Sequence, residues 1–255
     1  MTRGPNPAAT GSSDDPAVRA VAAHALELID DGARVGLGSG RASAAFIARL
    51  GERVRQGLRV VGVPTSNESA DQARTAGIPL IELTEQVELD LTVDGADEVS
   101  PSLDLVKGWG GALVRERIVA AASRRQVILV GSEKLVRTLG ERGRIPVEVI
   151  PLAEGLVTRR LKAIGLLPTV RPSRNGTAPF ITDNGNLTLD CALREPLVDA
   201  VAARALEAEM LAIPGVVDTG LFLGTAERVL VGRPDGTVEV LTSDSRDSAS
   251  RPAPR

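Results

Sequence analysis

Aromatic side chains are scarce in this chain of 255 residues, which contains 2% aromatic residues and no tyrosine. So few rings argue against a nucleic-acid surface built from bases stacked on aromatics. Cysteine and histidine occur once each. The single cysteine, Cys191, excludes an internal disulfide and a zinc site made of several cysteines, and we interpret it as a small apolar filler. His24 lies in an alanine-rich stretch, which indicates a structural or surface role.

A strong net charge and long apolar runs are also lacking. Lysine and arginine number 30 and aspartate and glutamate 33, so no global field draws the chain to DNA or to anionic membranes. No uninterrupted apolar run approaches the roughly 20 residues that span a bilayer, and the N-terminus lacks the apolar core of a signal peptide. We therefore expect a soluble cytoplasmic protein with no nucleic-acid or membrane partner.

Apolar residues are plentiful, at 43% of the chain, and most are Val, Leu, Ile and Ala. Up to about residue 145 they form short strands that alternate with amphipathic helices, and segment 78–83, "IPLIEL", is predicted to be one of the strands. Continuous apolar strands separated by helices are typical of parallel sheets. The pattern predicts an α/β fold with a Rossmann-like open, mostly parallel sheet and helices on both faces.

The pattern changes after about residue 145 to strand, helix, strand, strand, helix, strand, an order that resembles a smaller ferredoxin-like α+β domain. Its four strands are expected at 146–152, 178–183, 185–193 and 215–223. The closing strands are expected to return to the first sheet. We predict disordered ends at 1–13 and 243–255, an α/β catalytic domain at 14–144 and 222–242, and the small domain at 145–221.

Ligands of open parallel sheets bind beyond the carboxyl ends of the strands, and three loops share that edge. The first, "GLGSGRAS" at 36–43, has alternate glycines that let backbone N–H groups approach an anion at a helix start. Arg41 stands where the dinucleotide fingerprint has its last glycine, and no acid ends the next strand. A phosphate or polyol cradle, a tight turn and a nicotinamide site remain open for this loop.

The second loop, "PTSNES" at 64–69, places Thr65, Ser66, Asn67 and Ser69 at the end of the next strand. The hydroxyl groups of Thr65, Ser66 and Ser69 either donate to a phosphate or cap the following helix. This loop alone does not decide between the two.

The third loop joins acids, a lysine and glycines at the end of a buried strand, in "DLTVDGADEVSPSLDLVKGWGGALVRERIVA" at 90–120. Asp94 and Asp97 stand three residues apart, and Lys107 is a plausible cation for them. The segment "GWGG" at 108–111 admits close approach of the backbone to a ligand. Glu116 either faces the same cleft or lies in a solvated ion pair with a neighbouring arginine, Arg115 or Arg117. Together these groups indicate a polar cleft with acid, base and anion-binding elements.

The segment "VDGADEV…LDLVKGWGGALVRERIVA" resembles the signature of the type A ribose-5-phosphate isomerases. "GLGSG", "PTSNES", "SEKLV", "PVEVIP", "PFITDNGN" and "IPGVVDTGLF" follow in that family's order, so the resemblance covers roughly residues 14–240. It implies interconversion of D-ribose 5-phosphate and D-ribulose 5-phosphate in the non-oxidative pentose phosphate pathway. It also implies a reaction without metal or organic cofactor, and a homodimer or tetramer.

The resemblance assigns roles to residues of this chain. Glu116 corresponds to the general base, Asp94 to the acid–base carboxylate at ring opening, and Asp97 to a second site carboxylate. Lys107 corresponds to the lysine beside the reacting oxygens, and Lys134 to a lysine that contacts the ligand. The remaining expected substrate-binding residues are Gly38, Ser39, Gly40, Arg41, Ala42, Gly108, Gly110 and Gly111.

Two departures from the family pattern raise further hypotheses. The first loop commonly reads Gly-Thr-Gly-Ser-Thr in the family, whereas this chain has Arg41 and lacks two hydroxyls; the arginine either binds phosphate or points to solvent. Trp109 replaces a usual glycine and would either narrow the cleft or pack over the neighbouring strand. Two alternatives therefore accompany the isomerase: a sugar-phosphate sensor without catalysis, and an isomerase of another aldose phosphate.

Overall fold

The computed structural model describes residues 15–195 and 197–242, and the ends predicted to be disordered lie outside the described residues. The helices are α1 (Pro16–Leu26), α2 (Arg41–Arg55), α3 (Asn67–Ala76), α4 (Leu113–Ala121), α5 (Glu154–Ala163) and α6 (Ala200–Leu211). The strands are β1 (Arg34–Leu37), β2 (Val61–Pro64), β3 (Leu91–Gly95), β4 (Glu98–Val99), β5 (Leu105–Val106), β6 (Gln126–Gly131), β7 (Ile145–Val149), β8 (Leu166–Val170), β9 (Leu187–Leu193), β10 (Val216–Thr219), β11 (Leu221–Phe222), β12 (Arg228–Gly232) and β13 (Val238–Thr242).

The main sheet has six strands in the order β13-β12-β6-β3-β1-β2. Its pairs are parallel except for β12 with β13, so the predicted open, mostly parallel sheet is confirmed, as is the return of the closing strands. Segment 78–83 is not a strand, because it makes one isolated bridge, between Leu80 and Gly62.

Side chains of the central strand β6 show how both faces of this sheet are buried. Val127 and Leu129 lie on one face of the sheet and pack with residues of α1, α2 and α3, whereas Ile128 and Val130 lie on the opposite face. This division follows from the alternation of side chains along a strand. The second face is covered by α4 and by a small three-stranded sheet of order β11-β5-β4. The layers leave the carboxyl edge of the strands open for loops.

A second sheet has four antiparallel strands in the order β10-β7-β9-β8, and α5 and α6 pack on it through one apolar cluster. This is the predicted ferredoxin-like arrangement. The second strand is 166–170 rather than 178–183, and Pro168 is tolerated there because β8 lies at the edge of the sheet. Fully buried Cys191 packs in the same cluster, and burial raises the pKa of its thiol to about 12.

The predicted strand 215–223 divides at Gly220 into β10 and β11, which belong to different sheets. A side chain at Gly220 would place its Cβ 2.4 Å from the carbonyl oxygen of Lys107. The backbone N–H of Lys107 donates in turn to the carbonyl of Gly220 at 2.9 Å. This close approach lies where the chain passes from the four-stranded sheet to the three-stranded sheet, next to Lys107 of the third loop.

None of the helices within residues 15–195 and 197–242 combines the length and the apolar character needed to cross a bilayer.

Candidate active site

A cavity of about 170 Å³ opens at the carboxyl edge of the main sheet. The loops that follow β1, β3 and β6 line it, together with the first turn of α4, as expected for the ligand site of an open parallel sheet. The charged side chains and glycines that border it include Arg41, Asp97, Lys107, Glu116, Lys134, Gly40, Gly108 and Gly110. The structure therefore brings residues of the first and third loops into one cleft together with Lys134, whereas no residue of the second loop borders it.

Lys107 is the central cation of the cleft and is 2% exposed. Its Nζ donates to Asp94 Oδ2 at 2.9 Å and to the carbonyl of Gly95 at 2.5 Å, and it lies 3.3 Å from Glu116 Oε2. Burial by itself lowers the pKa of Lys107, but the negative charges of Asp94 and Glu116 outweigh that effect and raise it. Lys107 consequently stays protonated at neutral pH.

Asp94 is fully buried behind Lys107 and does not border the cavity. Its Oδ1 accepts hydrogen bonds from the backbone N–H of Ser39 at 3.0 Å and of Gly95 at 2.7 Å. The close packing depends on Gly38, because a Cβ there would lie 2.1 Å from Asp94 Oδ1. The described contacts make Asp94 the fixed counter-charge of Lys107.

Glu116 is a buried carboxylate in the first turn of α4, 5% exposed. Its Oε2 accepts no hydrogen bond from the described part of the chain, although Lys107 is close. Burial raises the pKa of Glu116 to about 8, with Asp94 and Asp97 adding to the rise and Lys107 opposing it. Oε2 is thus buried on the side of Lys107, while Glu116 as a residue borders the cavity.

The arginines on either side of Glu116 do not pair with it. Arg115 bonds to Asn67, Asp183 and Asn184, and Arg117 to Asp218 and two backbone carbonyls. The alternative of a solvated ion pair for Glu116 is therefore not the one that the structure shows.

Asp97 lies at the cavity wall, and its Oδ2 accepts the backbone N–H of Trp109 at 2.9 Å. Burial raises its pKa, while this N–H and Lys107 oppose the rise. The neighbouring Glu98 has a structural role, because its carboxylate accepts hydrogen bonds from the backbone N–H groups of Gly140 and Arg142. Of the three acids that cluster in the sequence, Asp94, Asp97 and Glu98, only Asp97 borders the cavity.

The first loop ends at the start of α2, whose N-cap residue Gly40 has a φ of 87° and offers no side-chain cap. Gly40, Arg41 and Ala42 border the cavity, so this 15-residue helix begins at the cavity wall without a capping side chain, which suits an anion. The Ser39 hydroxyl is within 2.8 Å of both the Thr65 and the Ser66 hydroxyls. Ser66 in turn caps α3 in a capping box with Ser69, so the capping alternative for the second loop is correct.

Two cations face the same end of the cavity. Arg41 and Lys134 both border it, from the start of α2 and from a 3-10 turn after β6. Burial lowers the pKa of Lys134, and the positive charges of Arg142 and Arg41 lower it further, against the opposing effect of Asp97. Ala42 follows Arg41 in the cavity wall. Of the ligand-binding residues expected in the first loop, Ser39, Gly40, Arg41 and Ala42 border the cavity, whereas Gly38 lies against Asp94 and does not.

Trp109 does not border the cavity; it packs against the small domain's apolar cluster. Its indole N–H donates to the carbonyl of Arg144, just before β7, at 3.2 Å, and the Arg144 guanidinium lies 4.9 Å from the ring centroid. Packing over a neighbouring strand is thus the alternative that the structure shows. On either side, Gly108 and Gly111 have φ of 98° and 91°, a region that favours glycine.

One contact was missed from the sequence. The ring of Phe222 lies 5.5 Å from Lys107 Nζ, a cation–π distance, although the two residues are far apart in the chain. The motif "IPGVVDTGLF" contains Phe222, but no local signal in it points to Lys107.

Among the described residues, no group of three or more His, Cys, Asp or Glu side chains could hold a metal ion.

Residues 61–236 match the family model described as ribose 5-phosphate isomerase A (phosphoriboisomerase A). The chain is 46% identical over 230 residues to the ribose-5-phosphate isomerase A of Roseiflexus sp. (strain RS-1), covering 88% of this chain and 95% of that protein. It is 49% identical over 223 residues to the same enzyme of Gloeobacter violaceus (strain ATCC 29082 / PCC 7421), covering 87% and 94%.

Solved structures of ribose-5-phosphate isomerases are also similar to this chain. The ribose 5-phosphate isomerase A of Methanocaldococcus jannaschii superposes with a TM-score of 0.83 at 41% identity, over 91% of this chain and all of that one. A D-ribose-5-phosphate isomerase in complex with phospho-erythronic acid superposes with a TM-score of 0.82 at 36% identity, over 88% and 97%.

Proposed function

Because this chain belongs to the ribose 5-phosphate isomerase A family, we propose that it interconverts D-ribose 5-phosphate and D-ribulose 5-phosphate through an enediolate. The observation that carries the mechanism is the position of Lys107 Nζ between Asp94 and Glu116 at the wall of the cavity. A solved relative binds phospho-erythronic acid, a phosphorylated sugar acid, which supports a sugar-phosphate ligand here.

Glu116 is the proposed base that takes the proton from C2 of the open-chain sugar and returns it to C1. A carboxylate buried until its pKa is about 8 is a stronger base than one in water, and it accepts a proton readily near neutral pH. The ion pair of its Oε2 with Lys107 Nζ at 3.3 Å opposes protonation, but burial and the neighbouring Asp94 and Asp97 outweigh it. Positioned bases of this kind contribute about 10²–10⁴ to a rate.

The oxyanion of the enediolate is proposed to be stabilised by donors at the cavity wall. Lys107 and the backbone N–H groups of Gly108 and Gly110 are the candidates, and each such donor is worth roughly 3–4 kcal/mol. Gly111, also expected from the sequence, does not border the cavity, and its N–H donates to the carbonyl of Gly108 at 3.0 Å. Asp94 supports this role by keeping Lys107 protonated and oriented. Direct contact of Asp94 with the sugar ring stays a prediction. Asp97, which borders the cavity, is better placed to exchange protons during ring opening.

The phosphate group is proposed to bind at the start of α2. The uncapped N–H groups of its first turn, the guanidinium of Arg41 and the ammonium of Lys134 would together surround a dianion. The Arg41 guanidinium makes no hydrogen bond or ion pair with the described residues, so its donors are free for a phosphate. In this chain the arginine takes over the function of the hydroxyls that the family usually has in the loop.

The decisive test is an assay of the wild-type protein with ribose 5-phosphate, with and without excess chelator. We expect ribulose 5-phosphate to form at the same rate in both. Binding without turnover would instead indicate a sugar-phosphate sensor, and faster turnover of another aldose phosphate in parallel assays would indicate a different substrate. Loss of activity with the chelator would contradict the cofactor-free reaction.

A homodimer is proposed from the outer edge of the small domain. Strand β10 forms that edge, and beside it lie apolar side chains that are partly or fully exposed: Ile150, Leu152, Leu211 and Val217. An exposed edge strand flanked by apolar side chains is a common site of self-association. Light scattering should give twice the mass of one chain for the wild type and the mass of one chain for Leu152→Glu.

A cytoplasmic location and a place in the non-oxidative pentose phosphate pathway are proposed from the substrate. A phosphorylated sugar is too polar to cross a bilayer unaided, so its isomerase is expected in the compartment where the sugar phosphate forms. Fractionation of cells that produce the tagged protein would test the location.

A further inference from the structure

Helix α4, which carries Glu116, has little of its own to fix its orientation. It has nine residues, and its N-cap residue, Ala112, makes no side-chain cap hydrogen bond. Isolated helices of this length are marginal in water, so contacts with the rest of the protein must hold it in place. The arginines that flank Glu116, at positions 115 and 117, make such contacts.

Arg115 ties the first turn of α4 to two other segments. Its guanidinium donates to Asn184 Oδ1 at 2.9 Å, to the carbonyl of Asp183 at 2.7 Å and to Asn67 Oδ1 at 3.1 Å. The Asp183 carboxylate closes the network, because it accepts the backbone N–H of Asn67 at 2.7 Å. One side chain therefore joins α4, the start of α3 and the turn at 182–186.

The turn at 182–186 is itself held from beneath by a buried carboxylate of the small domain. Glu148 of β7 is fully buried, and its Oε1 accepts hydrogen bonds from Thr182, Asn184 and Asn186 at 2.9–3.0 Å. From the sequence, this segment is no more than the turn between the strands expected at 178–183 and 185–193. The contacts show a rigid element that presents Asp183 and Asn184 to Arg115.

Arg117 makes the corresponding contacts on another side of the helix. It donates to Asp218 Oδ2 at 2.5 Å, to the carbonyl of Thr219 at 2.9 Å and to the carbonyl of Leu221 at 2.7 Å. Its guanidinium also lies 4.2 Å from the centroid of the Phe222 ring. These acceptors belong to β10 and to the segment that continues into β11.

Positions 115 and 117 are about 200° apart around a helix, so the two arginines leave α4 in nearly opposite directions, with Glu116 between them. We propose that Arg115 and Arg117 are positioning residues that fix the rotation of α4 about its axis and so hold the Glu116 carboxylate beside Lys107. The inference rests on the proposed function, in which Glu116 is the base. The turn at 182–186 then contributes to catalysis although it does not border the cavity.

The test compares Arg115→Met with Arg124→Met. Arg124 is an exposed arginine just after α4, paired with Glu88 at 2.6 Å, so it controls for loss of a guanidinium and an ion pair. We expect kcat of Arg115→Met for ribose 5-phosphate to fall about 10- to 100-fold, as for a misplacement on the order of 1 Å, with KM close to the wild-type value. Arg124→Met should keep the wild-type kcat.

Two further readouts separate positioning from general damage. The acid limb of the pH profile of kcat should move to lower pH in Arg115→Met, because a carboxylate displaced from Asp94, Asp97 and Lys107 toward water regains an ordinary pKa. Amide hydrogen exchange in 113–121 should become faster, a readout that does not need turnover. Arg115→Met combined with Asn184→Ala should lose no more activity than Arg115→Met alone, as expected for one shared network.

Arg115→Lys covers the case in which the methionine variant does not fold. Lysine keeps the positive charge, but its ammonium cannot reach the three acceptors that the planar guanidinium of Arg115 contacts at once. We therefore expect a lowered kcat at a near wild-type melting temperature. Wild-type kcat in that variant, or a loss of kcat with unchanged exchange and an unshifted pH profile, would overturn the proposal. A wild-type protein that is inactive on ribose 5-phosphate would contradict the proposed function instead. The rate of amide hydrogen exchange in 113–121 would still show whether Arg115 holds α4 in place.

Discussion

Replacing Glu116 by glutamine should abolish activity and at the same time stabilise the fold. The carboxyl group is buried, and its pKa rises from the ordinary 4.5 to about 8. Between these two pH values the unfolded chain ionises Glu116 while the folded protein keeps it protonated, so the folded state loses stability as the pH rises. Glutamine has the same shape and no charge, so it removes this cost.

The magnitude follows from the difference between the two pKa values. Each factor of ten in an ionisation constant is worth about 1.4 kcal/mol, so the interval from 4.5 to about 8 corresponds to about 5 kcal/mol at pH 8 and above. Below pH 4.5 both states are protonated and the two proteins should be equally stable. For a chain of this size we expect a rise in melting temperature of roughly 10 °C at pH 8 and about 2 °C at pH 5.

The assay combines thermal unfolding of Glu116→Gln and wild type from pH 5 to pH 8 with turnover and calorimetric binding of ribose 5-phosphate. Turnover should fall by about 10³ or more, whereas binding should be largely preserved, because the phosphate contacts are elsewhere. Glu52→Gln, which changes an exposed carboxylate on α2, is the matched control and should change neither property. Equal melting temperatures of Glu116→Gln and wild type at pH 8 would refute the burial argument, and undiminished turnover would refute the role as base.

Three further predictions concern other parts of the site. Lys107→Met leaves the buried Asp94 carboxylate without its cation, so it should destabilise the fold by about 3–5 kcal/mol in urea denaturation and abolish turnover; unchanged stability would contradict the buried ion pair. Gly38→Ala should strongly reduce kcat, because its Cβ would meet Asp94 Oδ1, whereas Gly155→Ala, with open space around its Cβ, should keep wild-type kcat. Arg41→Met should raise KM about tenfold and weaken inhibition by inorganic phosphate with little change in kcat, and an unchanged KM would leave the arginine pointing to solvent. Arg53→Met, on the exposed surface of α2, serves as its control.

Strand and helix patterns were largely readable from the sequence, because alternation of apolar segments reflects local burial. The errors have local reasons too. Segment 78–83 has the apolar pattern of a strand but makes only one isolated bridge, because apolar residues are also buried in loops that pack on a core. Strand 166–170 was missed because Pro168 opposes a central strand, and only its edge position makes the proline acceptable.

The sequence by itself determined the fold class, the family and the loops that meet at the carboxyl edge of the sheet, because these depend on periodicity, glycines and motif order along the chain. Only the tertiary structure decided that Asp94 is buried behind Lys107, that Glu116 faces that lysine rather than Arg115 or Arg117, and that the turn at 182–186 holds α4. Arg115 and Asn184 are 69 positions apart, and the contacts of Lys107, although closer in the chain, form only when its segment lies between β3 and α4. They depend on how the layers pack, which no local pattern of residues encodes.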